Sequence, residues 1–154
     1  MREKLVRSSD IELGIKANNW EEAISAAGEI MVRNGHVTAE YVRAMQQAVN
    51  ELGPYIVIAP GLAMPHANSA QGVKQSAISI ITLESPVAFG HKANDPVHMI
   101  VGVAGMNDGQ HMDIIQAIAS VFEEEGALAA LLKMCDKETI AEIFNRSIEA
   151  GREV

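Results

Sequence analysis

Apolar positions recur along this chain with two distinct periods, and the places where one gives way to the other mark its elements. Ile11, Leu13 and Ile15 alternate with polar or small neighbours, which predicts an opening strand within residues 11–17. Ile24, Ala27, Gly28, Met31 and Val32 then fall at helical spacing between a capping Asn19, with Glu22 three residues on, and Gly35. A second helix is predicted behind Thr38 as its cap. Val42, Met45, Ala48, Val49 and Leu52 stripe it, and Gly53 with Pro54 stops it.

Beyond Pro54 the period shortens. Residues 55–58, 77–83 and 97–103 are apolar and β-branched enough to be buried strands. Residues 84–86 and 90–96 carry turn chemistry, with 87–89 a short edge strand between them. A helix is predicted over about 110–125, capped by Asn107 or Asp108, striped by Ile114, Ile115, Ile118, Val121 and Phe122, and ended by Gly126. Helical segments over 127–135 and, behind Asp136, over 137–150 complete the chain. Strand, two helices, several strands and then helices cannot wind as simple alternating βαβ units. The order predicts a three-layer α/β domain, a mixed β-sheet flanked by helices on both faces. No repeat or linker interrupts it, so residues 1–154 read as one domain.

Composition narrows the partners. Aromatics make up only 4% of residues, so the core must come from Ala, Ile, Val, Leu and the eight Met. A net charge of -8 argues against nucleic acid, whose binding needs clustered Lys and Arg, and favours solubility and partners with a positive face. Cys135 is the single cysteine, so no internal disulfide forms, and its place at the end of an apolar helical run reads as a buried thiol. The first residues carry no apolar signal region and no stretch is long enough to span a bilayer. Cytoplasmic residence without direct membrane insertion is the expectation.

Five histidines supply the candidate chemistry. His66 lies in Ala59-Pro60-Gly61-Leu62-Ala63-Met64-Pro65-His66-Ala67-Asn68-Ser69, a proline-flanked turn leaving an apolar strand. Imidazole titrates near 6.5, so a neutral, nucleophilic ring is abundant at neutral pH. The amide of Ala67 and the side chains of Asn68 and Ser69 are candidate donors to a phosphate. His111 falls in the first turn of a helix, where free amides and the helix dipole favour an anion, and is the candidate second donor. His98 reads as a sheet histidine, and His91 and His36 as solvent-facing turn residues. No pair has zincin spacing, no CxxC occurs and no Gly-x-Ser-x-Gly elbow is present, so neither a metal, a cofactor nor a serine-hydrolase triad is expected.

Gly53-Pro54-Tyr55, the run Pro60-Gly61-Leu62-Ala63-Met64-Pro65-His66, Asn94-Asp95-Pro96-Val97 and His111 together resemble the enzyme IIA components of the mannitol/fructose class of the bacterial sugar phosphotransferase system, most closely the ascorbate-specific branch. The likeness runs over nearly the whole chain. It implies a reversible relay in which the histidine-containing phosphocarrier protein phosphorylates His66 and His66 passes the group to a IIB component. Through IIB, the membrane IIC permease imports the sugar. His111 would then bond the phosphoryl oxygens rather than carry the group, and no metal would be required. The chain departs from the family at Ala67, where Gly is common. It departs again at Asn68, where the ascorbate branch often has a basic residue, and at Asn50-Glu51-Leu52, where the mannitol branch tends to have an arginine. These departures bear on the sugar more than on the relay. The alternative is a regulatory module of the same fold that signals by its phosphorylation state. The sequence leaves the sugar and the oligomeric state open.

Overall fold

The computed structural model describes residues 4–68 and 71–152. A single 3-10 turn, Ser8–Asp10, leads into β1 (Ile11–Ile15). Then follow α1 (Trp20–Arg33), α2 (Ala39–Leu52), β2 (Val57–Ala59), β3 (Leu62–Ala63), β4 (Ala77–Val87), β5 (Val97–Ala104), α3 (Asp108–Val121), α4 (Ala127–Leu132) and α5 (Lys137–Arg152). The strands form one sheet in the order β1-β4-β5-β3-β2, with β1 parallel to β4, β4 antiparallel to β5, β5 parallel to β3 and β3 antiparallel to β2.

The two faces of this mixed sheet bury separate cores, as the three-layer reading requires. On one face Ala23, Ile24, Met31, Tyr41 and Met45 from α1 and α2 meet Ile81, Val97 and Ile100. On the other, Ile114 and Ile118 of α3 and Ile140 and Phe144 of α5 meet Ile78, Ile80, Met99 and Val101. Aliphatic and Met side chains carry most of both, as the scarcity of aromatics demands.

Several boundaries differ from the sequence reading, each for a local reason. β4 runs on through Glu84-Ser85-Pro86 to Val87 instead of turning there. Its pairing with β1 stops at Leu83 and its register with β5 slips before Val87, so Pro86 falls where a missing amide breaks no ladder. Of residues 55–58 only Val57 and Ile58 are in a strand; β2 is an edge, and Tyr55 and Ile58 stay exposed. α3 stops at Val121, because Glu123, Glu124 and Glu125 would place three carboxylates at the negative end of a helix. α4 ends at Leu132, which leaves Cys135 exposed rather than buried. Asn19 caps α1 as expected, accepting from the Glu22 amide at 2.9 Å, whereas Thr38 precedes α2 without a capping bond from its hydroxyl.

The candidate site gathers at the carboxyl ends of two parallel neighbours. β3 pairs with β5 through Leu62 and Met99 and through Ala63 and Ile100, and the Val103 amide extends the pairing by donating to the Pro65 carbonyl at 3.0 Å. The chain leaving β3 carries His66, and the chain leaving β5 carries His111.

Candidate functional site

Pro60 and Gly61 close the β2–β3 hairpin, with Gly61 at φ 81° as the second central residue of a tight turn. The Asn94-Asp95 pair holds this hairpin from below. The Gly61 amide donates to the Asn94 carbonyl at 2.9 Å, and Asn94 Nδ2 donates to the Val57 carbonyl at 3.2 Å. The Asp95 carboxylate in turn accepts from the amides of Phe89, Gly90 and His91 at 2.8–3.0 Å. His66 therefore leaves a braced element, three residues beyond the end of β3.

One hydrogen bond decides which nitrogen of His66 is available. Nδ1 lies 2.8 Å from the Met64 carbonyl oxygen, and a carbonyl only accepts, so Nδ1 carries the proton and Nε2 keeps its lone pair. The half-buried ring meets Tyr55 edge-on at 5.6 Å between centroids and approaches His111 at 5.1 Å. Both imidazoles border an open groove of about 670 Å³. One face of α2 (Glu40, Arg43, Ala44, Gln47, Ala48, Glu51) forms its wall, and Asn68, Gln71 and Asp108 lie on its margin.

His111 is held where it is by what is missing opposite. A Cβ on Gly105 would lie 2.6 Å from both Cα and Cβ of His111, so only glycine lets the first turn of α3 fold back onto the end of β5. Asn107 caps that turn, accepting from the Gln110 amide at 2.9 Å, and Ser76 Oγ ties Met106 and Gln110 to the strand beyond. Burial pushes the His111 pKa below its ordinary value, and the neighbouring His66 adds to this while Asp108 opposes it. His111 is thus neutral at pH 7. A base whose folded pKa is depressed takes up its proton more readily in the unfolded chain. Stability is therefore lost as pH falls from the ordinary histidine value towards the folded one. Melting temperature between pH 7.5 and 5 should fall less steeply in His111→Gln than in the parent; equal slopes would remove His111 as a contributor.

Residues 4–147 match the family described as "Phosphoenolpyruvate-dependent sugar phosphotransferase system, EIIA 2". The chain belongs to this EIIA 2 family. An ascorbate-specific PTS system EIIA component from Salmonella typhimurium is 33% identical over 98% of this chain and 99% of its own length. Among solved structures, the mannitol-specific cryptic phosphotransferase enzyme IIA of Escherichia coli is 28% identical, with a TM-score of 0.79, covering 93% of this chain and 96% of its own. Escherichia coli enzyme IIAMTL, in its complex with phosphorylated enzyme IIBMTL, is 26% identical with the same TM-score over 90% of this chain and 96% of its own.

Within this EIIA chain the other sequence candidates fare unevenly. Ala67 sits beside His66, but its amide already donates to the Tyr41 hydroxyl at 3.0 Å and is not a free phosphate donor. Asn68 is exposed and borders the groove, while Ser69 lies outside the described residues. His91 is half-buried and structural, its Nδ1 accepting from the Asn94 amide at 3.1 Å, and His36 places its Nδ1 in the interior, so neither is a simple solvent-facing residue. His98 is a half-buried strand residue, in keeping with its place in the sheet. Leu62 and Met64 are core, whereas Leu52 and Tyr55 at the groove, and Met106 and Met112 on either side of His111 in the chain, are exposed apolar groups. Sequence reasoning alone passes over Tyr41, Gly105 and Arg43. Tyr41 hides behind the apolar stripe of α2, and Gly105 is needed only because a distant turn folds against it.

Proposed function

We propose that this EIIA chain is a single-domain cytoplasmic phosphocarrier that accepts a phosphoryl group on Nε2 of His66 from the histidine-containing phosphocarrier protein and passes it to a IIB component. The IIB component and the IIC permease would use it to import ascorbate or a related sugar, the assignment favoured by the name of the Salmonella relative. The observation that carries this reading is the Nδ1 to Met64 carbonyl bond, which presents the other nitrogen of His66 to the groove beside His111.

The chemistry balances without a metal. The Nε2 lone pair attacks phosphorus in line, the donor's N–P bond breaks, and no proton leaves His66 in the step. The ring becomes cationic as the new N–P bond forms, and the Met64 carbonyl, accepting from Nδ1–H, stabilises that charge. Phosphoryl transfer asks chiefly for positioning and for donors to charge spread over the equatorial oxygens. Neutral His111 supplies one donor. Its Nδ1 is buried without a partner among the described residues, which leaves Nε2 to serve the phosphoryl group. Arg43 is the only Lys or Arg among the described groove residues, which also include the carboxylates of Glu40, Glu51 and Asp108, so it supplies the counter-charge a dianion needs there. The exposed Leu52, Tyr55, Met106 and Met112 form the apolar contact for an incoming protein partner.

Incubation with phosphoenolpyruvate, enzyme I and the phosphocarrier protein should load the chain with acid-labile phosphate that a cognate IIB then removes. Loading without onward transfer to any IIB would favour the signalling role, and no loading would end the phosphocarrier reading.

A further inference from the structure

The two peptide groups that flank the Cα of His66 are both held, but by different means. On the side before it, the Pro65 carbonyl accepts from the backbone amide of Val103 at 3.0 Å. On the side after it, the Ala67 amide donates to the hydroxyl of Tyr41 at 3.0 Å. That hydroxyl passes its own proton on to the Val103 carbonyl at 2.6 Å. Val103, the Tyr41 oxygen and the Pro65–Ala67 segment thus close a ring of hydrogen bonds around the backbone of His66. One phenol is the only side chain in that ring. Tyr41 is wholly buried, and burial lifts its pKa to about 12, so the hydroxyl keeps the proton it donates across the neutral range.

We infer that Tyr41 is a positioning residue for phosphoryl transfer: its hydroxyl clamps the peptide after His66 to the end of β5 and so fixes the direction of Nε2 relative to His111. The inference rests on the reading of His66 as the phosphoryl acceptor. Val103 is one residue from the end of β5 and two from Gly105, against which the first turn of α3 packs. The same strand end therefore anchors both imidazoles, one through the Tyr41 clamp and the other through the Gly105 contact. With the hydroxyl gone, the Ala67 amide loses its acceptor and the Val103 carbonyl a donor, and the turn is free to rotate about Ala67. The Nδ1 to Met64 bond spans only two residues within that turn, so it loosens too and the proton redistributes between the ring nitrogens.

Tyr41→Phe keeps the ring's packing and removes only the oxygen. A misplacement of about 1 Å in a transfer site costs on the order of a hundredfold, so phosphoryl exchange at His66 should slow by about ten- to a hundredfold. The 15N shifts of His66 should move from those of an Nδ1–H tautomer towards averaged values. Ile11→Val, in β1 at the far edge of the sheet, is the control for lost stability alone and should alter neither readout. Parent-like exchange and ring-nitrogen shifts in Tyr41→Phe would overturn the inference. Should Tyr41→Phe fail to fold, amide exchange in the parent decides instead: a strongly protected Ala67 amide is expected, and rapid exchange would overturn the clamp. If the parent cannot be phosphorylated at all, the phosphocarrier reading fails, while the nitrogen shifts still judge the clamp.

Discussion

His66→Ala is expected to take up no phosphate from the phosphocarrier protein while folding as the parent does. On the proposed reading the nucleophile is a single lone pair on Nε2, and His111, 5.1 Å away between ring centroids, does not duplicate it: its Nδ1 is buried and its Nε2 carries the proton it donates. The loss should therefore be complete within the sensitivity of labelling, a fall of at least about a thousandfold. The ring is half-buried, in a turn held by backbone bonds and by Tyr41, so its removal should cost no more than about 1 kcal/mol of stability. Labelling is followed by gel autoradiography and stability by thermal melting. Residual label on His66→Ala would move the acceptor to another residue.

Gly105→Ala is expected to be nearly as damaging, although the residue is buried and brings no side chain to the groove. The added methyl would sit 2.6 Å from Cα and Cβ of His111 and 2.8 Å from its amide nitrogen, closer than carbon atoms in proteins approach. Backbone atoms cannot rotate out of the way as a flexible side chain can. The first turn of α3 must shift, carrying His111 away from His66 and straining the Ser76 bonds to Met106 and Gln110. Nucleophile and donor are both still present, so the expected signature is phosphorylation that proceeds but exchanges about a hundredfold more slowly. Quench-flow transfer to a IIB partner measures the rate, and the His66–His111 nuclear Overhauser contacts report the displacement. A parent-like rate in a folded Gly105→Ala would show that His111 does not need its present position.

The layer order is legible because the period of apolar residues changes sharply at Pro54 and again at Asn107, and the structure keeps both changes. His66 is legible because the prolines and small residues around it signal, from local chemistry alone, a turn at a strand end. Contact that depends on distant segments cannot be read in this way. Tyr41 meets its acceptor Val103 across 62 residues, and in sequence it is one more large residue beside Val42 and Met45. Gly105 has no unusual φ to advertise it and is required only by the return of α3. Arg43 belongs to a helix face whose other members are acidic, small or neutral, and nothing in that pattern tells a wall of a groove from a solvated surface. The Asn94-Asp95-Pro96 motif is in sequence a turn and a mark of kinship; that it braces the hairpin beneath His66 is visible only in the fold. The Ala67 amide looks free to bind phosphate because it follows the histidine, and only the fold brings up the buried phenol that occupies it.

With Nδ1 of His66 bonded to the Met64 carbonyl, Nε2 is the nitrogen left to react, and 31P–15N coupling in the 15N-histidine-labelled phosphoprotein shows directly which nitrogen carries the phosphorus. One phosphorus nucleus coupled to Nε2 of His66, with Nδ1 still protonated, is the expected result. Coupling to Nδ1 of that ring, or to either nitrogen of another histidine, would contradict it.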